Sequence, residues 1–255
     1  MTRITTLLAI ATAPLLFAGA GAVQAAPAGA IKNVVLVHGA FADGSGWQPV
    51  AEILMRDGYK VSVVQEPETS LDDDVAATNR VLDGLDGPAV LVGHSYGGMI
   101  ITGAGNNPHV KMLVYVSALA PDVGDTLGSL QASKPPASNS IVPTKDGAYL
   151  IINPAFFHAD FCADLPQAQA DFMALSQVPL SVKSTGGQIA APAWKTKPSY
   201  AIVSTEDRAI NPDLERWMYK RAHSVTTEVK GSHASYISQA RVVADVIEKA
   251  AAAAQ

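Results

Sequence analysis

Hydrophobic positions along this chain fall into short β-branched runs separated by longer stretches with helical spacing. That alternation is the mark of a parallel sheet wrapped by helices. "NVVLV" (Asn33 to Val37) reads as a buried strand, and "GWQPVAEILMRDG" (Gly46 to Gly58) as the helix that follows it. "YKVSVV" (Tyr59 to Val64) is the next strand. In "SLDDDVAATNRVLDGL" (Ser70 to Leu85), Leu71, Val75, Leu82 and Leu85 share one helical face. Ser70 reads as the cap there. Asp72, Asp73 and Asp74 lie in the first turn, where negative charge favours the helix dipole and no metal cluster is implied. "AVLVG" (Ala89 to Gly93) and "MLVYVSA" (Met112 to Ala118) are central strands.

The rhythm breaks between about residues 121 and 198, with many prolines, a loop-like "SKPPASNS" and a helix near Asp164 to Gln177. It resumes with "YAIVS" (Tyr200 to Ser204), a helix over Leu214 to Ala222, "VTTEVK" (Val225 to Lys230) and a last helix from about Gln239 to Ala253. No internal repeat is visible. The pattern predicts one α/β domain over residues 26–255, a mostly parallel sheet flanked by helices, with the 121–198 insertion lying over one end of the sheet.

The first residues stand apart from this pattern. Arg3, an apolar run from Leu7 to Phe17 and the small residues "VQA" ending at Ala25 read as a secretory signal peptide over residues 1–25. Export to the periplasm or the medium follows as an expectation, an uncleaved anchor being the alternative. With 48% hydrophobic and 16% charged residues, the chain has material for a large core. Its net charge of −5 and the lack of a basic patch argue against nucleic acid or, after signal cleavage, a membrane surface as partner. The one cysteine, Cys162, cannot form an internal disulfide and reads as a small buried hydrophobe.

"LVGHSYGGMI" (Leu91 to Ile100) carries the chemistry. Gly93-His94-Ser95-Tyr96-Gly97 fits the G-x-S-x-G elbow, in which a serine sits on a tight strand-to-helix bend between small neighbours. A serine hydroxyl needs a base. His233, in "VKGSHASYIS" after the last strand, stands where one would be; His94 is read as packing inward and His38 as part of another loop. The imidazole in turn needs an acceptor. Asp207 in "VSTEDRAINP" is preferred by chain order, with Glu206, Asp122 and Asp125 as alternatives. For a developing oxyanion the candidate donors are the N–H of Tyr96 and that of Ala40, in "VHGAFADGSGW", with Phe41 next.

In the order HGAF, GHSYG, TEDRAINP and GSHASYIS, the chain resembles the α/β-hydrolase superfamily, in particular small bacterial carboxylesterases and the related plant esterase and hydroxynitrile lyase group. The resemblance runs from Lys32 to about Lys249. It implies a Ser95, Asp207, His233 triad beneath a helical cap, a secreted serine carboxylesterase working through an acyl-enzyme, a small-molecule ester substrate, and no cofactor or metal. The lyases of that group carry a threonine and a lysine where this chain has Gly39 and Ala234, which disfavours cyanide chemistry. A weakly catalytic ligand-binding homologue and a cofactor-free lyase are the alternative readings. Aromatic residues of the insertion, Phe156, Phe157, Phe161, Phe172 and Trp194 with Met173, are candidates to line an apolar pocket. Phe41, Phe157, Phe161 and Trp194 are the chosen substrate contacts.

Overall fold

The computed structural model describes residues 29–253. The signal-peptide segment therefore lies outside the described residues. Six strands form one parallel sheet: β1 (Asn33–Val37), β2 (Lys60–Val63), β3 (Ala89–His94), β4 (Val110–Val116), β8 (Ser199–Ser204) and β9 (Val225–Val229), in the order β2-β1-β3-β4-β8-β9. Every residue of β1 and β3 is buried. This is why these strands read as unbroken apolar runs: a parallel sheet is covered on both faces. Burying each Val or Leu side chain there contributes about 1.5–3 kcal/mol.

The crossovers are α1 (Gln48–Arg56), α2 (Leu71–Asp83), α3 (Gly97–Ala104) and α7 (Pro212–Arg221), with α9 (Ala240–Ala253) closing the chain. From β1 the chain steps outward to β2, then returns across β1 to β3 and continues the other way. Because such connections are right-handed, α1 lies on one face and α2, α3 and α7 on the other. α9 joins α1, and α2 packs on α3. The reversal of direction falls between β1 and β3. At such a switch point the loops beyond the strand ends diverge and leave a crevice.

Between β4 and β8 lies a cap. It holds α4 (Leu127–Ser133), α5 (Pro154–Phe161) and α6 (Gln167–Leu175), together with a small antiparallel sheet of β5 (Ile141–Pro143), β6 (Tyr149–Ile152) and β7 (Leu180–Ser181). The helical spacing predicted one helix here. The additional α4 and α5, the latter ended at Cys162, and the small sheet carry no period long enough to read. α8 (Ser235–Ser238) is a single turn after β9. Among the described residues no helix is long and apolar enough to cross a membrane.

Candidate active site

Backbone strain gathers at the carboxyl ends of the first four core strands. Phe41, Glu68, Ser95 and Ser117 follow β1, β2, β3 and β4, and each takes a positive φ, 66°, 53°, 56° and 44°. Each costs about 1–3 kcal/mol, so surrounding contacts must hold it in place. For Ser95 the contacts are explicit. Its N–H donates to Val116 O (3.3 Å), and its carbonyl accepts from Gly98 (3.0 Å) and Leu119 (3.1 Å). Two glycines let the β1 and β3 loops touch. A Cβ on Gly39 would lie 2.5 Å from Ser95 Cβ, and one on Gly97 would lie 2.4 Å from His38 O. No larger residue fits either place.

Three side chains from distant parts of the sequence converge at this edge. The Ser95 hydroxyl lies 2.8 Å from His233 Nε2, and His233 Nδ1 lies 2.6 Å from Asp207 Oδ2. An ionised carboxylate can only accept, so Nδ1 carries the proton and Nε2 is left to accept from the serine. Asp207 Oδ1 is held by the N–H groups of Ala209 (2.7 Å) and Ile210 (2.9 Å). Imidazole and carboxylate are almost fully buried, at 1% and 4% exposure. Glu215 of α7 is buried beside Asp207. Burial first, then the Asp207 charge and hydrogen bond, push its pKa well up and keep it neutral. The alternative acids are engaged elsewhere: Glu206 pairs with Lys230, Asp122 with Lys195 and Asp125 with Arg221.

His94 does pack inward, and it has a task there. Its Nε2–H donates to the His233 carbonyl (2.9 Å), with the rings 4.6 Å apart. Burial, with the neighbouring His233, drives its pKa well down, so it serves as a neutral donor. The cap holds the other side of the histidine loop. Phe161 meets the His233 ring edge-on at 4.9 Å, and its carbonyl accepts from the Ala234 N–H. Asp164 accepts from the Ser232 N–H (2.9 Å), from the Ser232 hydroxyl and from the Ser238 hydroxyl (2.7 Å).

A cavity of about 220 Å³ opens over Ser95 and His233. Ala40, Phe41, Tyr96 and Phe161 line it, with aliphatic residues such as Leu127, Ile152 and Ile210 supplying most of the wall. Two chosen contacts are elsewhere. Phe157 is 1% exposed and stacks on the far side of Phe161 at 5.0 Å, as core. Trp194 donates to Pro121 O at 2.7 Å and sits among Lys195 and Arg221, outside the lining. Aromatic character marked both residues, but the direction each faces depends on tertiary packing. Of the other candidates, Phe156 is largely exposed, while Phe172 and Met173 line a separate groove. Cys162 is buried, and burial, then Asp164 and Asp171, push its thiol up to about 12.

Asp74 departs from the sequence reading. Ser70 caps α2 as expected, accepting from the Asp73 N–H at 3.1 Å. Asp74, however, is fully buried and receives the Tyr96 hydroxyl and the Glu68 N–H, each at 2.8 Å. It faces inward because the fourth position of that turn falls on the side packed against α3. The helix dipole accounted for all three acids of that turn, and the partners of Asp74 are visible only in the fold. Among the described residues no acidic or histidine cluster could hold a metal ion.

With this geometry in view, the likenesses to known proteins are consistent. The profile of the alpha/beta hydrolase family matches residues 34–246. A carbendazim hydrolyzing esterase of Nocardioides sp. (strain SG-4G) is 35% identical over 115 residues, which is 39% of this chain and 47% of that protein. This chain thus spans about half of that relative. Among solved structures, a pyrethroid hydrolase from Sphingobium faniae JZ-2 superposes with a TM-score of 0.73 at 21% identity, over 87% of this chain and 98% of the other. Polyneuridine aldehyde esterase does so with a TM-score of 0.72 at 20% identity, over 86% and 98%.

Proposed function

The chain belongs to the alpha/beta hydrolase family, and from that premise we propose that it is a serine esterase acting on small, mainly apolar carboxylic esters through an acyl-enzyme. The observation that carries the reading is the unbroken line of hydrogen bonds from Ser95 through His233 to Asp207 at the floor of an apolar cavity.

In this reading the ester carbonyl rests over Ser95. Oγ attacks the carbonyl carbon while its proton passes to His233 Nε2. Asp207 fixes the tautomer beforehand and stabilises the imidazolium that forms. The carbonyl π pair moves onto oxygen, and the Ala40 and Tyr96 N–H groups receive it; among the described residues neither amide has a protein acceptor. The Phe41 N–H, next along the same loop, is the alternative donor to that of Ala40. Collapse expels the alcohol, which takes the proton from His233. Water then repeats the sequence on the acyl-enzyme, releasing the acid and freeing Ser95.

The hydrolase named for carbendazim and the esterase and pyrethroid hydrolase structures support an ester as substrate. The small volume and aliphatic wall of the cavity favour short acyl groups. Ala234, fully buried, stands next to His233, so that position supplies no ammonium for a cyanide leaving group. Export to the periplasm or the medium is part of the proposal, on the strength of the N-terminal apolar segment. A mature chain beginning at Ala26, read by mass spectrometry, tests it.

The central test is chemical. A fluorophosphonate is expected to label Ser95, as read by peptide mapping, and Ser95→Ala to abolish turnover of a short-chain aryl ester. Turnover retained above roughly one part in a thousand in that variant, more than binding and the oxyanion donors alone support, would overturn the reading. A panel of acyl chain lengths then measures the pocket.

A further inference from the structure

Opposite the acid–base line lies a second polar cluster, built from His38, Glu66, Glu68, Asp74 and Tyr96, all buried. The esterase reading gives it no chemical step. Its members nonetheless attach to the two backbone segments that supply the oxyanion donors. His38 immediately precedes Gly39 and Ala40. Its Nδ1 faces Gly39 O at 3.0 Å, its Nε2 contacts the Glu66 carboxylate, and Glu68 Oε1 is 3.6 Å from Nδ1. Tyr96 is the other donor residue, and its phenol reaches Asp74 Oδ2 at 2.8 Å. Asp74 Oδ1 accepts the Glu68 N–H, and the Glu68 carbonyl accepts the Ser181 N–H (2.9 Å) at the end of β7 in the cap. From Ala40 to Tyr96 there is thus a continuous path of buried polar contacts that avoids Ser95 and His233 altogether.

We infer that Asp74 and the Tyr96 phenol are positioning residues for the oxyanion site, fixing the Tyr96 N–H in register with the Ala40 N–H through the shared cluster of Glu66, Glu68 and His38. The inference rests on the serine esterase reading. A helix start by itself leaves Tyr96 free to shift. α3 begins without a side-chain cap, so the Asp74 contact supplies the restraint that a capping side chain would otherwise give. Donors fixed before reaction need no reorganisation when charge develops, which is why small displacements are costly. The positions also explain why a carboxylate is buried in the first turn of α2. From there it can accept from the Tyr96 phenol and the Glu68 N–H at once, tying the nucleophile turn to the loop after β2.

The test uses Tyr96→Phe, Asp74→Asn and the double variant in the full-length protein. Each is assayed with a short-chain aryl ester and with a trifluoromethyl ketone, which adds to the serine and forms a tetrahedral oxyanion. Each single variant is expected to lose roughly 10- to 100-fold in kcat, less than outright loss of a donor. KM should stay within about twofold, and ketone affinity should fall by a similar factor to kcat. The double variant should be no worse than the poorer single one, because both residues act through the one contact between the Tyr96 phenol and Asp74. Singles within twofold of wild type, losses that multiply in the double, or a fall in kcat with unchanged ketone affinity would each overturn the inference. If Asp74→Asn does not fold, Tyr96→Phe with the ketone decides alone. Labelling of wild-type Ser95 by a fluorophosphonate separates the two levels. Without it the esterase reading falls and takes this inference with it; with it, unchanged variants sink only the inference.

Discussion

The two sides of Ser95 are built from the same kinds of residue and behave differently. Toward β8 and β9 stand one histidine and one engaged carboxylate, His233 and Asp207, arranged in a line with a neutral Glu215 behind. Toward β1 and α2 stand one histidine and three carboxyls, crowded without a line. Burial raises Glu66 and Asp74 against the pull of their hydrogen bonds. Burial and the Asp74 and Glu66 charges push Glu68 up to about 9. For His38 burial works against charge, yet the Glu66 contact outweighs it and raises the imidazole. In the proposed reaction the line takes up the serine proton at His233 while Asp207 only accepts from Nδ1; the crowd can only store a proton. The difference is one of arrangement, since burial and residue type are shared.

Breaking the line gives the largest effect. Asp207→Asn offers His233 Nδ1 an amide in place of a carboxylate and permits the wrong tautomer, so kcat should fall by about 10⁴-fold with the fold intact. Steady-state kinetics beside circular dichroism checks both halves of that statement. Next comes the packing between line and cap. Phe161→Ala removes a ring that is 1% exposed and edges against His233, at a cost of about 3–5 kcal/mol and roughly 10 °C in Tm.

The crowded side is read through pH. Glu66, Glu68, Asp74 and His38 all have folded pKa values above their ordinary ones, as does Glu215. The folded state therefore holds more protons than the unfolded chain above the ordinary carboxylate range. Stability is highest below about 4.5 for these groups and declines as pH rises toward 9, the value for Glu68. Carboxylates lowered by partners, Asp164 and Asp57 among them, act in the opposite sense, in the acid range only. His94, held well below its ordinary 6.5, opposes this trend in the acid half of the range, so Tm should fall between about pH 7 and pH 9, and Glu68→Gln should flatten that fall while leaving the acid limb alone. A slope unchanged in Glu68→Gln would show that the crowd stores no proton there. The smallest effect belongs to the exposed clamp. Asp164→Asn keeps an acceptor for the Ser232 loop but loses its charge, so a change of a few-fold in kcat/KM and little in Tm is expected.

What the sequence could tell follows the same division. That Ser95, His233 and Asp207 come together was legible because each follows a predicted strand in a short local motif, with chain order linking the three. The central strands β1, β3, β4 and β8 were legible because a doubly covered parallel sheet demands apolar runs. Asp74 was not, since an acid in the first turn of a helix has a sufficient local explanation, and only the packing of α2 on α3 turns it inward. The cap sheet was hidden for another reason. β5, β6 and β7 have three, four and two residues, too few for an alternation to register. Cavity walls made of Leu127, Ile152 and Ile210 look like any core. Phe157 and Trp194 drew attention through size, which says how much a side chain buries and nothing about which way it points.

Cys162 gives the cap a measurable tempo. It is the chain's one thiol, it follows Phe161 directly, and in the closed protein it is both buried and held in its unreactive protonated form. A thiol reagent therefore modifies it only in molecules that have opened locally around it. With excess reagent the labelling rate counts those openings, and a slower rate with a ligand in the cavity beside Phe161 would tie the opening to the site beneath it.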